Sequence, residues 1–250
     1  MNIGRSLQEA ILPGRILAVQ VGLTRTAVLA EAADGLRCGL AATLVNLELE
    51  NHQHHTVQRA GHLHEMDYAE LAALIDSPSH TESSIGLATI NALLPRTPGL
   101  WQDLNAEDYL IRNCAGKNVV MIGHFPFIEH LRPHVKNLWV LELNPRQGDL
   151  PAQSAPDILP RADYVAISGT TLINKTFDGL ISLCRPTATV VMLGPSTPLS
   201  PVLFDFGVSI VSGTLVENPR ATLMGVGQGI SLHQLRQNGC VRFVTMKRER

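Results

Sequence analysis

From Val119 onward the chain repeats one pattern: a short β-branched or aliphatic run that stops at a small residue and a turn. Val119–Ile122 runs into Gly-His-Phe-Pro-Phe, Tyr164–Ile167 into Ser-Gly-Thr-Thr, and Thr189–Leu193 into Gly-Pro-Ser-Thr-Pro. Val208–Val211 runs into Ser-Gly-Thr, and Leu138–Leu141 ends in Glu142 and Asn144-Pro145. Helical segments at Ile128–Leu131, Ala155–Leu159, Leu172–Leu183 and Leu199–Phe206 fall between or after these runs. Strands alternating with helices imply right-handed crossovers and a parallel sheet. In such sheets the ligand sits outside the carboxyl ends of the strands. Five strand ends in one stretch therefore outline a site.

The first half is patterned differently. Ile16–Val21 and Thr24–Leu29 favour extended chain, and Ala33-Asp34-Gly35-Leu36 turns into Arg37–Leu40, which reads as an antiparallel meander. Asp67 through Glu70 has the form of a capping box, opening a helix with Leu71, Leu74 and Ile75 on one stripe. A second helix spans about Glu82 to Leu94 and stops at Pro95. Its apolar residues go nearly all the way round, which predicts burial, and Gly86 allows close packing. Pro95 and the run Arg96-Thr97-Pro98-Gly99 read as a linker. The expected organisation is α/β: a small α+β module over 1–98, then a Rossmann-like parallel-sheet domain over 99–250. The end of the chain, Val241–Thr245 after Asn238-Gly239, reads as an antiparallel edge strand.

Composition narrows the function classes. The apolar share of 45% and charged share of 17% suit a globular chain with a sizeable core. Twenty Lys and Arg against 22 Asp and Glu, a net charge of −2, give no electrostatic footprint for nucleic acid. No apolar stretch approaches the ~18 residues of a membrane span, and Arg5, Gln8 and Glu9 interrupt any signal-peptide core. Cys38, Cys114, Cys184 and Cys240 are scattered, as expected of reduced thiols in a cytoplasmic protein. The partners expected are a small-molecule ligand and at most further copies of the chain, with no nucleic acid and no membrane.

Candidate chemistry clusters at the strand ends. Gly123 permits a tight turn and Pro126 suits a first helical position. Phe125 and Phe127 fill positions that the Gly-x-Gly-x-x-Gly fingerprint leaves open for a pyrophosphate, so a standard nicotinamide dinucleotide is not expected. His124 is the acid–base candidate, because an imidazole titrates near neutrality; the bland alternative is a ring bonded to a neighbouring turn. Glu142 lies about twenty positions after Gly123, where Rossmann-type domains hold ribose hydroxyls, and with Asn144 it favours a hydroxyl-bearing ligand. Ser168, Gly169, Thr170 and Thr171, with Asn174 one turn on, offer a neutral cradle for a carboxylate or phosphate, or simply cap a helix. Gly194, Pro195, Ser196 and Thr197 form a proline-stiffened hydroxyl loop that reads as ligand-binding.

Two features stand apart. His52, His54, His55, His62 and His64 crowd one polar stretch, and His52, His54 and His55 are the metal candidates, suited to a divalent transition metal. A solvated loop is the competing reading. Asn91 interrupts an apolar helix, where a buried amide must find partners. Gly225-x-Gly-x-Gly229 reads as a flexible turn.

At these turns the chain resembles the putative heavy-metal-chelation family. The stretches that carry the resemblance are GHFPF at 123–127, ELNPRQGDLPA at 142–152 and ADYVAISGTTLINKTFDGLI at 162–181. VVMLGPSTPLSPVLFDFGV at 190–208, SGTLVENP at 212–219 and GLATINALL at 86–94 complete it. The resemblance implies an enolase-N-terminal-like α+β module, a Rossmann-like domain akin to methyltransferases, and a ligand site between the two. It further implies handling of heavy metals or chemistry on pterin-, flavin- or siderophore-like molecules. The histidine-rich loop departs from the family pattern. The function expected is thus a small-molecule-binding protein, an enzyme acting on a polar heterocyclic or metal-chelating metabolite at the inter-module crevice, with a divalent transition metal or a nucleoside-, pterin- or flavin-like molecule as the expected cofactor or ligand. The alternative is a non-enzymatic metal or metallophore binding protein that uses the histidine loop.

Overall fold

A computed structural model describes residues 2–45 and 57–248. Helix α1 (Ile3–Glu9) precedes a three-stranded antiparallel meander of β1 (Gly14–Val21), β2 (Arg25–Ala32) and β3 (Gly35–Ala42). The two-residue turn Ala33-Asp34 joins β2 to β3, with Gly35 at φ +113°. Helices α2 (Tyr68–Ala73) and α3 (His80–Leu93) follow. Asp67 caps α2 by accepting from the Ala69 N–H, and Ser79 caps α3 by accepting from the Glu82 N–H. As its nearly all-round apolar residues predict, α3 is buried on nearly all sides.

After α4 (Ala106–Asn113), the second sheet is built from β4 (Asn118–Ile122), α5 (Ile128–Leu131), β5 (Asn137–Glu142), β6 (Leu150–Pro151) and α6 (Ala155–Ile158). Then come β7 (Tyr164–Ser168), α7 (Phe177–Leu183), β8 (Thr189–Leu193), α8 (Val202–Asp205) and β9 (Ile210–Val216). The chain ends with α9 (Pro219–Gly227), α10 (Leu232–Gln237) and β10 (Val241–Lys247). The sheet order is β10-β9-β8-β7-β4-β5-β6, parallel throughout except for β10 against β9. Numbered from β4, the parallel part reads 3-2-1-4-5-6, the doubly wound order. The chain steps outward one way from β4 and the other way from β7, so the switch point lies between those two strands.

Alternation sorts the sheet's residues onto two faces. Val119, Met121, Val140, Ala166 and Val191 pack under α4 and α5. Val120, Ile122, Val165, Ile167 and Met192 face the other way, into a core shared with α1, α2, α3 and α7. The meander is covered on both faces too. Val28, Ala30 and Ala41 join that shared core, while Ala27, Leu29, Cys38 and Leu40 meet Val226 of α9, Leu235 of α10 and Val241. The apolar cores of the two sheets are therefore continuous.

Several expectations are corrected. The run at Val208–Val211 does not stop at Ser212-Gly213; β9 continues to Val216, because β10 pairs along it from Lys247↔Ile210 to Val241↔Val216. The helix expected over Leu172–Leu183 is divided. A 3-10 turn covers Gly169–Leu172, Lys175 stands at φ +62°, and α7 begins at Phe177. The glycine motif at Gly225 is not a turn. Gly225 and Gly227 lie inside α9, and only Gly229, at φ +77°, leaves it. The four cysteines are free thiols. Among the described residues no helix is long and apolar enough to cross a membrane.

Candidate functional site

A cleft of about 570 Å³ opens at the carboxyl ends of β4, β5 and β7, over the switch point. The turn after β4 forms its floor. Gly123 stands at φ +107°, which takes the chain back past Ser168 so closely that a Cβ there would lie 3.3 Å from the Ser168 Cβ. Phe125 forms an apolar wall and stacks on Phe127 with centroids 5.7 Å apart. Leu180 and Leu183 of α7 form the facing wall, and Leu143, 62% exposed, stands on the lining after β5.

Two carboxylates organise the polar side. Glu142 Oε1 accepts from the His124 N–H at 2.7 Å, and its Oε2 accepts from the Leu143 N–H at 3.1 Å. An ionised carboxylate has about four acceptor sites, so Glu142 keeps about two for a ligand. Asp149 was not foreseen from the sequence. Its side chain is only 4% exposed, and both oxygens lie within hydrogen-bond range of His124 Nδ1, at 3.2 and 3.1 Å. The Arg146 N–H also donates to it, at 3.0 Å. A carboxylate on Nδ1 favours the Nδ1–H tautomer and leaves Nε2 as the basic nitrogen. The only local signal was Gly148, whose φ of +91° turns the chain so that Asp149 reaches the histidine.

Lys175 also lines the cleft and was not foreseen. Its stem is exposed, but its ammonium donates to the Ile75 carbonyl, to Ser83 Oγ at 2.7 Å and to the Leu172 carbonyl at 3.5 Å. Those three bonds match its three donors. Partial desolvation of that ammonium lowers its pKa; at His80, desolvation and then the Lys175 charge act in the same direction.

The hydroxyls expected to cradle an anion are engaged locally. Ser168 Oγ accepts from the Thr170 N–H at 3.3 Å and pairs with Thr170 Oγ1, and Thr171 Oγ1 donates to the Ser168 carbonyl. Asn174 Oδ1 accepts from Thr176 Oγ1 at 2.7 Å. These residues line the cleft; the cap of the 3-10 turn is Ser168 and not Thr170 or Thr171, whose hydroxyls bond within the same turn. Gly169 lies behind them, packed so tightly on Thr197 that a Cβ would meet the Thr197 N at 2.6 Å.

The remaining strand-end residues do not join the cleft lining. Asn144 is exposed outside it, and Gly194 and Pro195 are likewise absent from it. Ser196 and Thr197 are buried in the seam between the two sheets. There Ser196 Oγ accepts from the Ala42 N–H of β3 at 2.8 Å, while Asn91 Nδ2 donates to the Leu40 carbonyl at 2.8 Å and the Ser196 carbonyl at 3.4 Å. Their hydroxyl-and-proline loop clips the two sheets together. Ser196→Ala is expected to leave the Ala42 N–H buried without a partner, costing about 1–3 kcal/mol. Thermal unfolding of the variant measures that loss, and ligand binding in the cleft is expected to be unchanged. Among the described residues the cleft is lined by residues 122–183, and Lys175 ties that lining to Ile75 and Ser83 of the first module.

His52, His54 and His55 lie outside the described residues. His62 and His64, which are described, both approach Glu65 Oε1, at 3.2 and 3.9 Å, on the exposed surface. Among the described residues, no three His, Cys, Asp or Glu side chains gather into a set that could hold a metal.

Two family models match the chain, over residues 5–94 and 105–245, and both carry the description "Putative heavy-metal chelation". A protein of unknown function from the DUF364 family of Desulfitobacterium hafniense shares the fold at a TM-score of 0.80 and 26% identity, covering 98% of each chain. A second member, from Pyrococcus horikoshii, superposes at a TM-score of 0.82 and 21% identity, again over 98% of each chain. An uncharacterised protein of Methanocaldococcus jannaschii is 25% identical over 209 residues, 81% of this chain and 79% of its own.

Proposed function

This chain belongs to the DUF364 family, described as putative heavy-metal chelation, and we propose that its cleft binds a phosphate-free heterocyclic metabolite rich in hydroxyl or amine donors. His124 is the acid–base group for chemistry on that ring, and Asp149 holds it in place. The observation that carries this reading is the position of Glu142. Its carboxylate already occupies the N–H group of the β4 turn, at 2.7 Å, where a dinucleotide domain would receive an anion. A second negative charge on the ligand would be repelled there. Lys175 keeps its positive charge at the cleft, but its three donors are engaged with Ile75, Ser83 and Leu172, so none is left to bond an anion directly. Phe125 and the leucines of α7 supply flat and apolar walls for a ring. Nucleosides, pterins and flavins without phosphate fit this description.

Matched probes test the proposal. Thermal unfolding is followed with adenosine against adenosine monophosphate, and with riboflavin against flavin mononucleotide. A ligand at about a hundred times its dissociation constant adds roughly 2.7 kcal/mol, or roughly 5–11 °C for a chain of this size. The phosphate-free member of at least one pair is expected to raise the melting temperature, and its phosphorylated partner is not. Glu142→Gln is expected to weaken that binding by about 1.5–3 kcal/mol, the range for hydrogen bonds to a charged group. Stabilisation by both members of a pair, or by neither member of either pair, counts against the proposal.

A second reading keeps the family's description in view. His62 and His64 converge on Glu65 at the border of the histidine-rich stretch, and that stretch would hold a divalent metal through His52, His54 and His55. Titration with zinc or nickel tests it: binding that survives replacement of those three histidines refutes the loop as the metal site.

A further inference from the structure

Seven buried side-chain polar atoms lack a hydrogen-bond partner among the described residues, and four of them border one small cavity. They are Asn91 Oδ1, Trp101 Nε1, Thr197 Oγ1 and Thr214 Oγ1. Buried polar groups are paired in nearly all folded proteins, so four unpaired atoms around one space point to something that pairs them. The cavity measures about 40 Å³ and lies in the seam between β3 and the end of α3 on one side and β9 with the Thr197 loop on the other. It shares no lining residue with the cleft.

The lining fixes what can sit there. Asn91 Nδ2 donates to the Leu40 and Ser196 carbonyls, so the amide is oriented with its oxygen as acceptor. The Trp101 indole only donates, and the two threonine hydroxyls do either. Thr197 is 2% exposed, out of reach of bulk solvent. Two arginines border the cavity: Arg96 is exposed at its rim, and Arg37 is paired. Arg37 Nε and Nη2 donate to Asp34, and its Nη1 donates to the Leu94 carbonyl at 2.7 Å. The Cys38 thiol, pushed up to about 12 by burial, stays neutral. A small, uncharged occupant that both donates and accepts satisfies the four unpaired atoms.

We infer that this cavity is an internal hydration site, in which a cluster of about three ordered waters joins the two sheets. A water needs about 10–15 Å³ of such volume and makes about three hydrogen bonds, which matches both the space and the unpaired groups. The site thus extends the clip made by Ser196 and Asn91: protein hydrogen bonds close one end of the seam, and water-mediated ones close the other.

Nuclear magnetic resonance on the full chain tests this. The Trp101 indole proton is expected to show a cross-peak to water whose sign is opposite in laboratory-frame and rotating-frame Overhauser spectra, the mark of a long-lived neighbour rather than exchange. Water relaxation dispersion is expected to count about three long-lived waters at the seam, at least one of them lost in Thr197→Val. A Trp101 proton with no such cross-peak, or a water count unchanged in a folded Thr197→Val, overturns the inference. Should that variant fail to fold, the indole cross-peak in the unaltered protein still decides. Crystallographic density too large for water at Trp101 would also overturn it, and would assign the site to an uncharged solute.

Discussion

Adding one methyl group at Gly39 or at Gly86 is expected to destabilise the protein more than other single-methyl changes at its glycines. A Cβ on Gly39 of β3 would stand 2.0 Å from the Ala88 carbonyl oxygen and 2.2 Å from the Ala92 nitrogen, both backbone atoms of α3. A Cβ on Gly86, on α3 itself, would stand 2.0 Å from the Ile75 nitrogen and 2.6 Å from the Leu74 carbonyl carbon. Backbone cannot swing aside as a side chain does, so the helix would have to move away from its neighbours. Overpacking of this kind costs about 3 kcal/mol at the upper end of its usual range, or roughly 6–12 °C in melting temperature. Gly99→Ala is the control, since a Cβ there meets nothing within 4 Å. Equal melting temperatures for Gly39→Ala and Gly99→Ala would mean that α3 does not pack as described. The consequence reaches the cleft, because α3 and the turn before it carry Ser83 and Ile75, which anchor Lys175.

The second large effect is expected at His124. If the imidazole transfers a proton to or from the bound ring, His124→Ala lowers turnover by about 10²–10⁴-fold, the usual contribution of a general acid or base. Binding of the ligand, which rests on Glu142 and the apolar walls, is expected to change much less. Asp149→Asn separates positioning from chemistry. It keeps the shape but removes the carboxylate that selects the Nδ1–H tautomer, and nitrogen resonances of the His124 ring are expected to change from one tautomer to a mixture. A ring with the same tautomer in both proteins would show that Asp149 merely caps its own loop through the Arg146 N–H.

The parallel sheet was legible because its strands are buried on both faces and so read as continuous apolar runs. β4, β5, β7 and β8 fall within a residue or so of where those runs end. What local pattern could not supply were choices made by distant partners. Ser212-Gly213 looks like a stop, yet β10 pairs straight across it. Gly225 and Gly227 look like a hinge, yet α9 is capped by Asn218, which accepts from the Ala221 N–H, and buries Val226 against the meander. Helix α4 did carry a local sign, Asn105 accepting from the Asp108 N–H ahead of an acidic first turn. It went unread among short polar residues.

The site divides the same way. His124, Glu142, Ser168, Thr170, Thr171 and Asn174 were placed together because each follows a strand that ends at the same edge. Ser196 carries the same residue chemistry, but its partner is the Ala42 N–H, far away in sequence. Hydroxyl and proline content distinguishes a shaped loop from a slack one; it does not say what the loop is shaped around. Asp149 was hidden for the converse reason. An acid beside a glycine is ordinary, and only the fold brings it beneath His124.

A crystal structure of the chain soaked with the phosphate-free probe that stabilises it most would test the cleft most directly. The expected result is ligand density against Phe125, with a hydroxyl or amine within hydrogen-bond distance of Glu142 and the ring edge facing His124 Nε2. Density elsewhere, with the cleft at β4, β5 and β7 holding solvent alone, would contradict the account.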